Sequence, residues 1–195
     1  MEQKTTQLFD NRVLERLTRV HHNTPFFVYI PLNLLCLSLV LVSEELYWPT
    51  FPVCLALGFF VWTFFEYILH RIVFHYQPKS NFGKRMHYLF HGIHHDFPQE
   101  ADRLVMPPSS SLPIATIVFL IFYIPLGMAG VVTFVGFLSG YLYYELVHYS
   151  VHHKKNPGVF WNKAQQKNHL QHHFKNYNKQ FGVTTTFWDR VFGTY

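Results

Sequence analysis

Charged side chains are scarce in this chain of 195 residues. Only 14% of its residues are Asp, Glu, Lys or Arg, whereas about a quarter are charged in a typical soluble domain. Residues 20–43, 46–65 and 104–144 carry no charge at all. A soluble helix normally keeps a charged face, which argues against the alternative of a soluble helical protein with a very apolar core. The sequence therefore predicts an all-α integral membrane protein.

Two other features are missing or rare. No compact apolar stretch and no small-residue cleavage site precede residue 24, so a cleavable signal peptide is not expected. The two cysteines, Cys36 and Cys54, lie in uncharged stretches and are interpreted as small apolar side chains, which say nothing about the redox compartment. Apolar residues recur at helical spacing over 9–20. They predict a short helix that lies either on the membrane surface or in solvent.

The uncharged stretches are long enough for four membrane crossings, since one crossing needs about 20 mostly apolar residues. We predict spans near residues 25–42, 46–65, 112–126 and 131–144, with a tight reversal at 127–130. The length predicts one domain, in which the segments outside the spans form a helical cytoplasmic cap. The predicted segments are 1–24, 25–65 (first transmembrane hairpin), 66–111 (cap), 112–147 (second transmembrane hairpin) and 148–195 (cap).

Basic residues predict the orientation. All 16 Lys and Arg residues lie before the first span, between the second and third, or after the fourth, whereas the first hairpin loop holds Glu44 and Glu45. Basic segments stay on the inner side, so both termini are expected in the cytoplasm, at a bacterial inner membrane or the endoplasmic reticulum. The net charge of +5 then reflects topology and anionic headgroups, and no nucleic acid partner is expected.

Histidine, unlike the charged residues, is abundant in this chain. Twelve of the 14 histidines form four clusters in the predicted cytoplasmic segments. The clusters are His70 and His75; His87, His91, His94 and His95; His148, His152 and His153; and His169, His172 and His173. Imidazole is a common ligand of transition metals, and one ion takes four to six ligands. The clusters therefore predict two metal ions with about five histidines each, just outside the bilayer.

Helical spacing brings most members of a cluster onto one face, because a helix turns about 100° per residue. His148 and His152 are four residues apart and stack on one side. The four histidines of the second cluster likewise share one face. His70 and His75 are five apart and would point about 140° away from each other on a straight helix. Either the helix distorts there, or the two rings approach a metal differently.

Carboxylates are few near the histidines, unlike in soluble ferritin-like di-iron proteins, which use Glu and Glu-x-x-His ligands. Glu66 precedes His70 by four residues, and Glu145 precedes His148 by three. Each acid is therefore expected on the same face as its histidine, where it would accept the second ring N–H and fix the tautomer. In the alternative interpretation these acids only solvate the membrane interface.

The histidine motifs resemble the membrane fatty acid hydroxylase superfamily, which includes the sterol desaturases. They are most similar to fatty acid 2-hydroxylases that act on ceramide-type lipids. The residues that carry the resemblance are 65–71, 87–95, 102–108, 140–153, 169–177 and 181–194. Within them, Arg-Leu-Val-Met-Pro-Pro at 103–108 and Phe-Gly-Val-Thr at 181–184 indicate the 2-hydroxylase branch.

The resemblance implies ten metal ligands. One ion would take His70, His75, His91, His95 and His172, and the other would take His94, His148, His152, His169 and His173. His87 and His153 would support the ligands without binding metal. Glu145 stands where this branch often has Asp, which leaves the substrate identity open.

The resemblance also implies the chemistry. Two iron ions, or zinc in the purified protein, would bind here, and O2 would be the co-substrate for hydroxylation at carbon 2 of a fatty acyl chain. Beyond the ligands no catalytic residue is expected, and Tyr144 and Glu145 are candidates to contact the lipid. Many relatives carry a fused cytochrome b5 domain; here a separate electron donor, such as cytochrome b5 or ferredoxin, is expected.

Three alternatives stay open. The same chemistry could hydroxylate a carotenoid or a sterol. The chain could instead be a non-catalytic membrane protein that binds or transports metal, although its uncharged stretches lack the ionisable residues expected for transport. It could also be a membrane cytochrome, although adjacent histidine pairs suit two metals better than one haem.

Overall fold

The computed structural model describes residues 7–154 and 163–195. Within these ranges all regular structure is helical, which confirms the predicted all-α class. The α-helices there are α1 (Arg12–Leu17), α2 (Thr24–Ser43), α3 (Phe51–Ile68), α4 (Asn81–His87), α5 (Ile93–Asp96), α6 (Pro108–Leu126), α7 (Met128–His153), α8 (Lys163–Phe174) and α9 (Phe187–Val191). Two π-helical segments, Leu69–Phe74 and Tyr88–Gly92, continue α3 and α4.

Four helices are long and apolar enough to cross a membrane, as predicted. They are Thr24–Ser43, Trp48–Phe74, Pro108–Leu126 and Met128–His153. The second and fourth extend past the predicted spans and carry the first and third histidine clusters at their ends. The predicted four-residue reversal is shorter than expected, because α7 already begins at Met128. Gly127 alone makes the turn, with a φ of 56° that glycine adopts without a steric penalty.

The described chain forms two compact units. The first, called the span unit here, comprises residues 23–64 and 108–144, and the second, called the histidine unit, comprises residues up to 22, 65–107 and 145–195. In the span unit, glycines allow close approach of α3 and α7. A Cβ at Gly58 would meet the Thr133 carbonyl, and a Cβ at Gly136 would meet the Leu55 carbonyl. Small residues at such crossings are typical of helix packing in membranes.

The N-terminal segment of the histidine unit is held by ion pairs. Arg103, whose side chain is 2% exposed, reaches Glu15 at 2.6 Å. Arg19 contacts Glu100 at 2.6 Å, and the Val20 N–H donates to the Asp102 carbonyl at 2.7 Å. The predicted N-terminal helix is therefore present as α1, packed against the segment that follows the second histidine cluster. Its position on a membrane surface stays a prediction.

Candidate metal centre

The ten histidines predicted as ligands converge in two groups within the histidine unit. Each histidine offers one ring nitrogen, and within each group these nitrogens lie within 4.8 Å of one another. The first, the His70 group, comprises His70, His75, His91, His95 and His172. The second, the His94 group, comprises His94, His148, His152, His169 and His173. This division matches the one that the family resemblance implies, while metal binding itself stays a prediction.

A π-helical turn brings His70 and His75 together. The His75 backbone N–H bonds to the His70 carbonyl at 3.2 Å, which is the i to i+5 pattern of a π-helix. The wider turn places residues five apart on one side, and the two rings lie 5.0 Å apart between centroids. The helix therefore distorts, which was one of the two alternatives for the awkward spacing. π-Helical turns are frequent at functional sites.

The second π-helical segment changes the arrangement of the second cluster. On a regular helix His87, His91, His94 and His95 would share one face, but Tyr88–Gly92 interrupts the α-helical register. His91 and His95 belong to one group and His94 to the other, while His87 belongs to neither. The rings of His91, His94 and His95 still lie close together, with centroids 4.6 to 5.9 Å apart, and the single face shared by all four histidines stays a prediction.

Ring nitrogens of the His70 group make more close contacts with one another than their protons can account for. The Nε2 atom of His91 lies 3.2 Å from that of His70 and 3.2 Å from that of His75. It also lies 2.9 Å from the Nε2 atom of His95. A neutral imidazole carries only one N–H, so these contacts cannot all be hydrogen bonds. A metal about 2.1 Å from each nitrogen would place neighbouring ligands about 3 Å apart at right angles, so the residues fit a cation.

The His94 group has the same geometry. Nε2 atoms lie 3.0 Å apart between His94 and His148, 2.9 Å apart between His152 and His169, and 3.1 Å apart between His169 and His173. The two groups adjoin, because the rings of His95 and His173 stack with centroids 4.2 Å apart. Two ions bound here would therefore be neighbours, which suits a reaction that uses both.

Burial keeps these imidazoles neutral. Desolvation lowers the pKa of His75 to about 2, that of His95 to about 3 and that of His172 to about 4. The fully buried His91, His94 and His169 have pKa values well below the ordinary value for the same reason. Neutral imidazole is the form that binds metal, so the rings are ready to bind at physiological pH.

Backbone carbonyls orient two rings of the His70 group. The His70 Nδ1–H donates to the Phe181 carbonyl at 2.5 Å, and the His172 Nδ1–H donates to the Lys179 carbonyl at 2.6 Å. Each bond fixes the tautomer that leaves the Nε2 lone pair directed into the group. In the His94 group the Nδ1 atoms of His94, His152, His169 and His173 have no hydrogen-bond partner among the described residues, whereas in the His70 group this holds for His75.

Glu66 supports the site differently from the prediction. It was expected to accept the second ring N–H of His70, but that proton goes to the Phe181 carbonyl. The buried Glu66 carboxylate instead accepts the backbone N–H groups of Val183 at 2.6 Å and Thr184 at 3.0 Å. The predicted contact is therefore wrong. Glu66 instead fixes the segment whose Phe181 carbonyl accepts the His70 N–H, so it supports His70 without touching its ring nitrogen.

Asp189 holds the same segment from its other side and was missed by sequence reasoning. This fully buried carboxylate accepts the N–H groups of Phe181 at 2.9 Å and Gly182 at 2.8 Å, and the Thr194 hydroxyl at 2.8 Å. Burial raises the pKa of Asp189, and these donors oppose the shift. The sequence signal was its place in the C-terminal motif, which identifies no role.

The remaining predicted residues belong to neither histidine group. His153 stacks on Tyr149 with centroids 4.6 Å apart, and His87 is half-buried. Glu145 is 2% exposed on α7. Tyr144 belongs to the span unit, where its ring centroid lies 5.7 Å from that of Trp62. The supporting roles of His87, His153 and Glu145, and lipid contact by Tyr144 and Glu145, stay predictions.

Fold and site together define a membrane protein with four candidate membrane-spanning helices and two adjoining groups of five histidines. Residues 55–194 match the sequence model of the fatty acid hydroxylase family, and the chain belongs to this family. It is 40% identical to the ceramide very long chain fatty acid hydroxylase of Saccharomyces cerevisiae, over 96% of this chain and 49% of that protein. The chain thus spans about half the length of this relative.

Two other relatives and one solved structure agree. The chain is 39% identical to a dihydroceramide fatty acyl 2-hydroxylase of Arabidopsis thaliana, over 86% of this chain and 70% of that protein. It is 33% identical to the fatty acid 2-hydroxylase of Homo sapiens, over 74% and 40%. The structure of full-length Scs7p, in which only the hydroxylase domain is visible, superposes with a TM-score of 0.87 at 36% identity, covering 96% of this chain and 70% of that one. The resemblance drawn from the motifs is confirmed.

Proposed function

We propose that this protein is a membrane hydroxylase that adds a hydroxyl group to carbon 2 of a fatty acyl chain, either free or within a ceramide. The observation that carries the proposal is the convergence of ten imidazole nitrogens in two adjoining groups. Membership of the fatty acid hydroxylase family gives the reaction type. Relatives named as 2-hydroxylases support carbon 2 and a ceramide-type lipid.

Two bound iron ions would supply the redox chemistry that activates O2. In the overall reaction a C–H bond breaks, a C–O bond forms, and two electrons with two protons reduce the second oxygen atom to water. The chain's own contribution is to hold ten neutral imidazoles in place, with the carbonyls of Phe181 and Lys179 fixing two of the rings. Zinc also suits imidazole, so metal content must be measured before activity.

Lipid binding and electron supply are expected to involve residues and proteins other than the ten histidines. We expect Tyr144 and Glu145, which precede His148 on α7 by about one turn, to contact the lipid near its carbonyl. Electrons are expected from a donor protein such as cytochrome b5 or a ferredoxin. The distribution of basic residues supports an orientation with both termini in the cytoplasm.

Lipid analysis in a host that makes no 2-hydroxy fatty acids tests the proposal. Expression of the full chain should produce 2-hydroxy acyl chains, detected by gas chromatography and mass spectrometry, and the purified protein should hold two iron ions. His91→Ala removes the ligand with three close neighbours and should abolish product and lower the metal content. His21→Ala, outside both groups, is the matched control and should change neither.

The proposal fails if the iron-loaded and reduced protein produces no 2-hydroxy lipid in the presence of O2. A new hydroxyl group found only on a carotenoid or a sterol would support hydroxylation as the reaction type but show that the substrate is not a fatty acyl chain. Full activity of His91→Ala would show that the reaction does not depend on the histidine groups.

A further inference from the structure

Helix α8 has two faces of opposite character. Its inner face buries Gln165, Asn168, His169 and His172. Its outer face carries Lys163, Lys167, Leu170 and Phe174, at the spacing of four, three and four residues that makes one stripe on a helix. The inner face is explained by the histidine groups. The outer face, in which Phe174 is 69% exposed, has no role in the site.

The outer face is strongly basic. Between residues 146 and 188 the chain holds six lysines and no acidic residue, while the whole chain has a net charge of only +5. Lys163, Lys167 and Lys175 are exposed. None of the ion pairs found among residues 7–154 and 163–195 involves them. Their positive charge is therefore available to attract a negatively charged partner to this face.

A shallow groove of about 540 Å³ runs along the same face, lined by these three lysines together with Leu170 and Phe174. An apolar centre within a charged rim is the usual composition of a protein interface. Charge on such a rim speeds the approach of an oppositely charged partner. The face therefore fits a protein whose contact surface is acidic.

The position of the groove indicates what that partner would do. His172 belongs to the His70 group, and His169 and His173 belong to the His94 group. A helix with its side chains is about 10 Å across, so an electron that arrives at the outer face is one helix away from ligands of both candidate metal sites. Resting on the proposed function, which consumes two electrons per hydroxylation, we propose that the outer face of α8 is the docking site of a small acidic electron-transfer protein.

Anionic lipid headgroups are the other class of acidic surface that lysines attract. Helices that lie on membranes present a broad apolar face beside their basic residues. Among the described residues, Leu170 and Phe174 line the groove together with lysines and glutamines, a composition that favours a protein partner.

Charge reversal on two faces tests the proposal. Lys163→Glu with Lys167→Glu alters the outer face of α8. Lys79→Glu with Lys84→Glu, at exposed positions before the second histidine cluster, makes the same change of charge elsewhere. The full chain in nanodiscs of neutral lipid is titrated with the soluble haem domain of cytochrome b5 and with a [2Fe–2S] ferredoxin, at low and high ionic strength. A second measurement follows a single turnover, in which the iron-loaded protein is reduced anaerobically with dithionite, desalted and exposed to O2.

Wild type should bind at least one of the two probes in a salt-dependent manner. The α8 variant should weaken binding by about tenfold or more, since charge steering changes association by factors of 10 to 10³, whereas Lys163→Arg with Lys167→Arg and the Lys79/Lys84 variant should bind like wild type. Single-turnover product should be equal in all of them.

Equal binding of the α8 variant and wild type overturns the proposal. So does a selective loss of binding to phosphatidylserine vesicles with donor binding unchanged, which would assign the face to lipid. Absence of single-turnover product in wild type refutes the hydroxylase instead, and the binding curves report on the docking site separately.

Discussion

Two carboxylates fix one segment of the site, and the structure predicts that they respond differently to the same substitution. Glu66 uses one oxygen for its two strongest bonds, because Oε1 accepts the N–H groups of both Val183 and Thr184. Its Oε2 has a longer contact, 3.3 Å to the Thr184 N–H. Asp189 uses both oxygens, with Oδ1 accepting from Phe181 and Oδ2 accepting from Gly182.

An amide has one acceptor oxygen and one NH2 donor, so the two replacements are unequal. In Glu66→Gln the amide oxygen can take the Oε1 position and keep both bonds, which lose only the reinforcement of charge, about 1 kcal/mol each. In Asp189→Asn the NH2 group must face either the Phe181 or the Gly182 N–H. One buried N–H then lacks an acceptor, at about 1–3 kcal/mol, in addition to the lost reinforcement.

We expect Asp189→Asn to lower the free energy of unfolding by about 3 kcal/mol. Burial raises the pKa of Asp189, which means that burying its charged form costs free energy. A neutral amide is less costly to bury, and this difference offsets part of the stability lost with the hydrogen bonds. Glu66→Gln should cost about 1–2 kcal/mol. Because the segment presents the Phe181 carbonyl to His70, Asp189→Asn should also weaken metal binding by about 10-fold to 100-fold, the usual effect of losing a support to a ligand.

Thermal unfolding in detergent and metal analysis at defined free metal concentration measure both effects. Thr185→Ala, a half-buried position just outside the segment, is a control for general sensitivity of this region. The reasoning is refuted if Glu66→Gln is as damaging as Asp189→Asn, or if Asp189→Asn loses stability while its metal affinity stays at the wild-type value.

Three other predictions follow from packing and hydrogen bonding. Gly136→Ala should prevent accumulation of folded protein, because its Cβ would meet a backbone carbonyl of α3, while Gly127→Ala, with open space around it, should cost about 1 kcal/mol; size-exclusion chromatography of detergent extracts separates them. Arg103→Ala breaks a buried ion pair and should cost about 3–5 kcal/mol, with earlier proteolytic cleavage of residues 7–22 than in wild type. A chelator should remove one ion before the other, the first from the His94 group, because four of its rings lack an Nδ1 partner among the described residues; release in one phase would contradict this.

Histidine spacing made the candidate ligands predictable from sequence. His148 and His152 are four residues apart on one regular helix, and local geometry alone places both rings on the same side. The spans were predictable for a similar reason, since each is one uncharged stretch of sufficient length. The division of the ten ligands between two groups came from the family resemblance, because spacing gives no reason to assign His94 and His95 to different ions.

The supports of the site were not predictable in the same way. The Phe181 carbonyl that accepts from His70 is one of many identical backbone groups, and the two residues are 111 positions apart. No side chain marks such an acceptor, so only the tertiary fold identifies it. The π-helical turns were also hidden, because their hydrogen bonds depend on packing and have no residue signature. Spacing of five between His70 and His75 left open whether the helix distorts or the two rings approach a metal differently.

The position of the acidic residues explains why the site depends on its backbone. Ten neutral imidazoles would bring no negative charge to two cations, and the carboxylates of Glu66 and Asp189 bind N–H groups of residues 181–184. Charge would therefore contribute less to holding two ions here than in a carboxylate site, and placement of the rings would contribute more. Since the ring of His70 is placed by the Phe181 carbonyl, substitutions in residues 181–184 should disturb metal binding more than changes of surface charge nearby.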